Sequence, residues 1–134
     1  MSKNYLTMSE REIKYYKLLT KKFEVKEKVF DLKEDIDELE GKKASIQKKQ
    51  ADVNKTRQEQ LIKSQKLKQE GKEDKALKLE MEIKKKEADL AKFKKGIQDI
   101  QKKIEKKKLD LQKIEAELNN TDSQLRVDFA EKFQ

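Results

Sequence analysis

Ammonium and carboxylate groups are the only abundant side chains here with chemistry to offer. Lys84-Lys85-Lys86 and Lys106-Lys107-Lys108 are runs of ammonium groups, and Glu80 and Glu82 are two neighbouring carboxylates. Paired carboxylates do acid–base work only in a pocket that separates their pKa values, so outside one they read as surface charge. No cysteine and no histidine occurs in the 134 residues. That excludes disulfides, thiolate zinc sites, thiol nucleophiles and imidazole-based triads together. No glycine-rich phosphate loop, dinucleotide fingerprint or metal-ligand spacing is present either. The expectation is a non-enzymatic chain with no cofactor and no metal, acting through charge and exposed rings.

The composition says what kind of element must carry those groups. Only 34% of the chain is apolar and 46% is charged, too little grease for a globular core but enough for a helical seam. Proline is absent, glycine occurs three times, and Lys, Glu, Leu, Gln and Ile dominate, all of which lose little on entering a helix. The first stretch, Met1 to Tyr16, is too polar for a secretory signal, and no run of about 18 apolar residues could span a membrane. A cytoplasmic location is therefore expected.

Heptads supply the seam. Ala76, Ile83, Leu90, Ile97, Ile104, Leu111, Leu118 and Leu125 fall seven apart, with a second row at Leu79, Lys86, Phe93, Ile100, Lys107, Ile114, Thr121 and Asp128. In the first half Leu18, Val25, Leu32, Leu39, Ile46, Val53, Gln60 and Leu67 form one row. Tyr15, Lys22, Val29, Ile36, Lys43, Gln50, Arg57 and Ser64 form the other. An apolar stripe held at period 3.5 is a coiled-coil seam.

The boundaries follow from start and stop signals. Residues 1–8 read as an N-terminal arm, and Ser9 with Glu12 reads as a capping box opening a helix over 9–70, with Met8 and Ile13 as its staple. Gly41 is a tolerated mid-helix glycine. Lys66 and Lys68 suit a last turn, Gly71 a left-handed C′ position, and Glu73 and Asp74 a first turn, which puts the reversal at 71–74. A second helix over 75–118 should end at Asn119-Asn120, with Thr121 to Gln124 capping a short C-terminal helix, or a continuation, over 119–134.

Folding back at Gly71 sets Leu67 against Ala76, Val53 against Leu90, Ile46 against Ile97, Val25 against Leu118 and Leu18 against Leu125. One mirror point aligns both rows, with the a positions of one arm facing the d positions of the other. The fold class is therefore all-α, an antiparallel two-helix coiled-coil hairpin. A continuous helix pairing in parallel with a second copy uses the same heptads and is the rival.

Three features could carry function. Tyr16, Phe23 and Phe30 recur every seven residues off the seam, with Leu19 alongside. Either the N-terminal arm or the terminal helix, with its apolar face of Leu125, Phe129 and Phe133, covers them, or they form a protein interface with Phe129 and Phe133. Charge is uneven: residues 42–108 hold 23 Lys and Arg against 11 Asp and Glu, whereas the rest hold 12 against 16. This basic tip includes Lys48, Lys49, Lys55, Arg57, Lys84, Lys85, Lys86, Lys94 and Lys95, and could meet phosphates, an acidic protein or an anionic membrane face. Arg57 is its only arginine and Phe93 its only aromatic, which weakens the case for nucleic acid. Finally, the seam turns polar where Arg57 faces Lys86 and Gln60 faces Ile83, predicting a pliable outer third.

In length and plan, and in Leu18-Leu19 followed by Lys26-Glu27 with Asp128 and Ala130 near the end, the chain resembles the coiled-coil hairpin stalks of flagellar and type III export machinery, the FliJ and YscO group. That resemblance implies a stalk-like subunit against a ring ATPase. The residues themselves predict a structural or adaptor protein, an elongated helical rod that bridges protein partners, with self-association open to it. A nucleic-acid-associated protein using the Lys-rich tip, or a phage or assembly scaffold, are the alternatives.

Overall fold

The computed structural model describes the backbone from Ser2 to Gln134 and the side chains from Met8 onward. The chain is an all-α helical hairpin of two long helices that pack against each other, α1 (Ser2–Gln69) and α2 (Glu73–Asp128), followed by a 3-10 turn over Ala130–Phe133. No cis peptide and no non-glycine residue of positive φ occurs among the described residues.

The reversal lies where the stop signals put it. Gly71 has φ +74°, its N–H donates to the Lys68 carbonyl at 3.1 Å, and the Lys72 N–H donates to the Leu67 carbonyl at 2.8 Å. Those two bonds are a Schellman motif with Gly71 at C′, and they satisfy carbonyls that a helix end leaves orphaned. Lys66 and Lys68 occupy the last turn of α1, and Glu73 and Asp74 the first turn of α2.

Both seam rows face inward as the heptads require. Every row residue from Tyr15 to Ser64 and Leu67, and from Ala76 to Leu125, is buried or half-buried, and only Asp128 at the end is exposed. Ile104 and Leu125 are fully enclosed, with Val25, Val29, Ile36, Ala76 and Ile83 nearly so. Each enclosed aliphatic side chain contributes about 1.5–3 kcal/mol over an exposed one.

Polar contacts between α1 and α2 report the register independently of the apolar rows. Lys22 pairs with Asp122 at 2.7 Å, Asp35 with Lys107 at 3.2 Å, Lys43 with Gln101 at 2.7 Å, Arg57 with Glu87 at 3.1 Å and Gln60 with Glu82 at 3.1 Å. A Cβ on Gly96 would sit 3.8 Å from the Ile46 Cδ1. All of these lie within one residue of the mirror that sets Leu18 opposite Leu125.

The chain divides into two compact units. The first comprises Met1–Asp37 with Glu105–Gln134 and contains the described ends of both helices; the second comprises Glu38–Ile104 and contains the turn. The second unit holds 20 Lys and Arg against 12 Asp and Glu and so carries the whole net charge of +8, leaving the first with 15 of each sign.

One expected boundary is corrected, and at the other the chain takes the continuation, one of the two alternatives. Met1 lies outside the described residues, but from Ser2 the expected arm is already helix, and Ser9 lies inside α1 instead of capping it. Met8 and Ile13 are 66% and 54% exposed, so no hydrophobic staple forms. Residues 2–8 contain no breaker, and a mid-helix serine costs only a fraction of a kcal/mol, about 0.5. At the other end α2 runs through Asn119-Asn120 to Asp128, and the Thr121 hydroxyl donates back to the Glu117 carbonyl at 2.9 Å. Seam packing on both sides of the asparagines, at Leu118 and Leu125, outweighs their poor propensity.

The glycines give a direct check on this geometry. Gly41 and Gly71 both have open space where a Cβ would go, but Gly41 is helical and only Gly71 has positive φ. Gly41→Ala is expected to raise stability by about 1 kcal/mol, and Gly71→Ala to lower it by about the same or more, in paired thermal melts.

Candidate interaction surfaces

The aromatic stripe stands on the side of α1 that α2 does not touch. Tyr15 and Leu18 turn into the seam, so residues one or two positions further round, Tyr16, Phe23 and Phe30, point away from it. They are 58%, 52% and 62% exposed. Leu19 is half-buried. Ile13 lies three residues before Tyr16 and extends the same face; its spacing marks it as part of the stripe, which its reading as a staple had obscured. The Thr20 hydroxyl, between Tyr16 and Phe23, donates to the Tyr16 carbonyl at 2.8 Å. A shallow groove with an apolar floor of Phe23, Val29, Phe30 and Leu118, flanked by two lysines and by Glu27 and Asp31, runs beside it.

The C-terminal aromatics do not cover this stripe, contrary to one of the two expectations. Leu125 is enclosed in the seam, and Phe129 is 5% exposed with its ring edge-on to Tyr15 at 5.4 Å. Phe129 is therefore internal packing and does not belong to an exposed face. Phe133 is 46% exposed, with the Arg126 guanidinium 5.4 Å from its centroid.

Charges close the end of α2 onto α1. Arg11 donates to the Asp128 carbonyl at 2.6 Å, meeting an orphaned carbonyl at the helix end, and to Glu131 at 2.8 Å, while its guanidinium lies 4.7 Å from the Phe129 centroid. Lys132 reaches Glu12 at 2.6 Å. The Lys22 ammonium beside Asp122 holds that carboxyl below the ordinary aspartate range; desolvation is the next-largest influence and opposes it, and Arg126 adds to the lowering. The Arg11 hydrogen bond likewise lowers Glu131, and the Glu12 hydrogen bond raises Lys132. This clasp was not legible from the heptads.

The basic tip residues separate into two groups. Lys48, Lys49, Lys55, Lys84, Lys85, Lys94 and Lys95 are exposed. The Ile46 and Gly96 contact sets the Lys48-Lys49 pair level with the Lys94-Lys95 pair on the other arm. Arg57 and Lys86 instead belong to the seam and are half-buried. The two do not confront one another as bare like charges: Arg57 turns aside to Glu87 through Nε at 3.2 Å and Nη2 at 3.1 Å. Gln60 donates to Glu82, although its Oε1 stays buried without a partner. Within the expected unpaired polar layer, Arg57 and the Gln60 amide nitrogen thus find carboxylates on the flank of α2. Phe93, the one aromatic of this region, is half-buried in the seam.

Glu80 pairs with Lys68 and Glu82 with Gln60. No group of three or more metal-ligating side chains gathers among the described residues, and no helix is long and apolar enough to cross a membrane.

The clasp predicts an asymmetric pH response. Asp122 and Glu131 have depressed folded-state pKa values, so their contribution is complete above the ordinary carboxylate range and is lost as pH falls through the folded values, below about pH 4. Lys132, being raised, keeps its contribution until pH rises past the ordinary lysine value of about 10.4. Acid titration followed by circular dichroism should show the melting temperature falling below about pH 4, and Asp122→Asn should reduce that dependence.

No family model, no curated protein and no solved structure matches the chain.

Proposed function

We propose that this chain is a non-enzymatic structural or adaptor subunit of a larger cytoplasmic assembly, engaging proteins through the aromatic face of α1 and an anionic partner through its basic unit. The observation that carries this reading is the exposure of Ile13, Tyr16, Phe23 and Phe30 along one helix face, while the opposite face of the same helix is already filled by the seam. Large apolar groups aligned on a soluble helix mark an interface more often than they mark anything else. A stalk against a ring ATPase is one form such a subunit takes. A phage or assembly scaffold is another.

The basic unit supports a second reading, binding to nucleic acid, because all of the net +8 lies there and its lysines project from both arms. Two facts weigh against it. The guanidinium of Arg57 is engaged with Glu87, and Phe93 is half-buried in the seam, so neither a free arginine nor a stacking ring is offered.

A photo-crosslinking amino acid placed at Phe23, compared with one at Lys49, tests the adaptor reading in cells. A defined protein adduct from position 23 that Phe30→Ser abolishes is the expected outcome, and absence of any adduct from either position would contradict it. Duplex and single-stranded oligonucleotides titrated at rising salt test the second reading. Binding that weakens with a slope of several phosphates would promote it above the first.

A further inference from the structure

The exposed face of α1 has a heptad pattern of its own. Ile13, Thr20 and Glu27 form one row and Tyr16, Phe23 and Phe30 the other, with spacings of three and four residues. All six are exposed, and all lie within the first unit. This is a second seam without a second helix. Each of the hairpin's two long helices already faces the other, and among the described residues there is no third long helix to fill it.

We infer that the occupant of this seam is a second copy of the chain, docked antiparallel through the same face of α1. The inference deepens the adaptor reading by naming the partner of its aromatic face. The argument is charge complementarity under a geometry the chain itself displays. Between α1 and α2 a polar residue in the seam does not face its direct opposite; it reaches one residue aside, as Arg57 does to Glu87, Lys43 to Gln101 and Lys22 to Asp122. An antiparallel pair centred between Thr20 and Phe23 sets Ile13 against Phe30 of the second copy and Thr20 against Phe23 of the second copy. The one charged core residue, Glu27, then lies against Tyr16 of the second copy. The same one-residue offset brings Glu27 to Lys17 of the second copy.

The flanks agree. With the offset that joins Lys68 to Glu80 across the hairpin, Lys17 meets Asp31 of the second copy, twice by symmetry. Among the described residues Lys17, Glu27 and Asp31 form no ion pair within the chain. A hollow lined by Ile13, Tyr16, Lys17, Thr20, Lys21 and Glu24 lies where Glu27 of the second copy arrives, so that two ammonium groups and one carboxylate surround it. Among residues 13–31 the one opposed like pair is Glu24 against itself; beyond the apolar rows Glu10 falls against Glu38 of the second copy. A parallel pairing instead buries Glu27 against its own copy and moves Lys17 out of its reach.

The apolar area available sets the strength. Half of three rings and of one isoleucine is on the order of 400 Å² per copy, given 150–250 Å² per aromatic ring. Stable interfaces bury about 800 Å² per partner, so the pair falls at the weak, transient end and forms at high concentration.

Sedimentation equilibrium of the full chain from about 10 µM to about 1 mM tests this. The expected result is a monomer–dimer equilibrium that Phe23→Ser with Phe30→Ser abolishes while circular dichroism keeps the hairpin. Glu27→Leu should tighten it about tenfold or more by removing a charge from the seam. Lys17→Glu, or Glu27→Lys with Asp31→Lys, should weaken it about fivefold, and all three together should restore it. A monomer throughout the range overturns the inference. So does a dimer in which the triple charge reversal fails to rescue, since only the antiparallel register joins those residues. A monomer whose position 23 still crosslinks a different protein overturns self-pairing while leaving the adaptor reading standing. A monomer with no crosslink removes both.

Discussion

A helix in which nearly half the residues are charged holds its shape in water only when its few apolar side chains share one partner surface. In this chain that constraint is met by the antiparallel seam between α1 and α2, and the seam is registered by the left-handed turn at Gly71. A slip of one residue would turn Ile104 and Leu125, now fully enclosed, away from the opposite arm and bring lysines inward. The apolar rows, the polar cross-arm pairs and the turn all agree on one register, and that agreement is what gives a chain of such composition a defined fold.

The polar layers of the seam show how the register tolerates its own composition. Lys22, Lys43, Arg57, Gln60 and Lys107 occupy positions that an aliphatic residue would fill in a drier coiled coil. Each has a stem long enough to cover apolar surface and a head that reaches a polar group on the flank of the other helix, at 2.7 to 3.2 Å. These contacts add little stability individually, because most are partly exposed to solvent. Their value is in specifying which residues stand level across the arms. The exposed face of α1 has the same arrangement of apolar positions with one charged intruder, which is why it reads as a surface awaiting a partner.

The long-range plan was legible in the sequence because heptad spacing, a lone positive-φ glycine and charges suited to helix ends are all local signals that agree with one global fold. The mirror about Gly71 predicted which residues share a level, and the pairs from Lys22–Asp122 to Gln60–Glu82 fall where it put them. Helix ends were less legible. Ser9 and Thr121 have the chemistry of N-caps, but a cap forms only where the backbone leaves the helix, and seam packing or the absence of a breaker kept it helical at both. The role of Phe129 was missed for a related reason: its contacts with Tyr15 and Arg11 span more than a hundred residues and depend on where α2 stops. The exposed stripe was visible as a heptad repeat, while the question of whether the chain covers it needed the position of the C-terminal rings.

Charge and grease are segregated by unit: the first has no net charge and carries the aromatic face, and the second has all of the +8. Both assignments depend on the chain doubling back on itself, and disulfide trapping tests that most directly. In the double variant Val25→Cys, Leu118→Cys, oxidised at low micromolar concentration, the account predicts a crosslink within one chain, seen as a faster-migrating monomer on a non-reducing gel. Crosslinks formed only between chains would contradict the hairpin and everything built on its register.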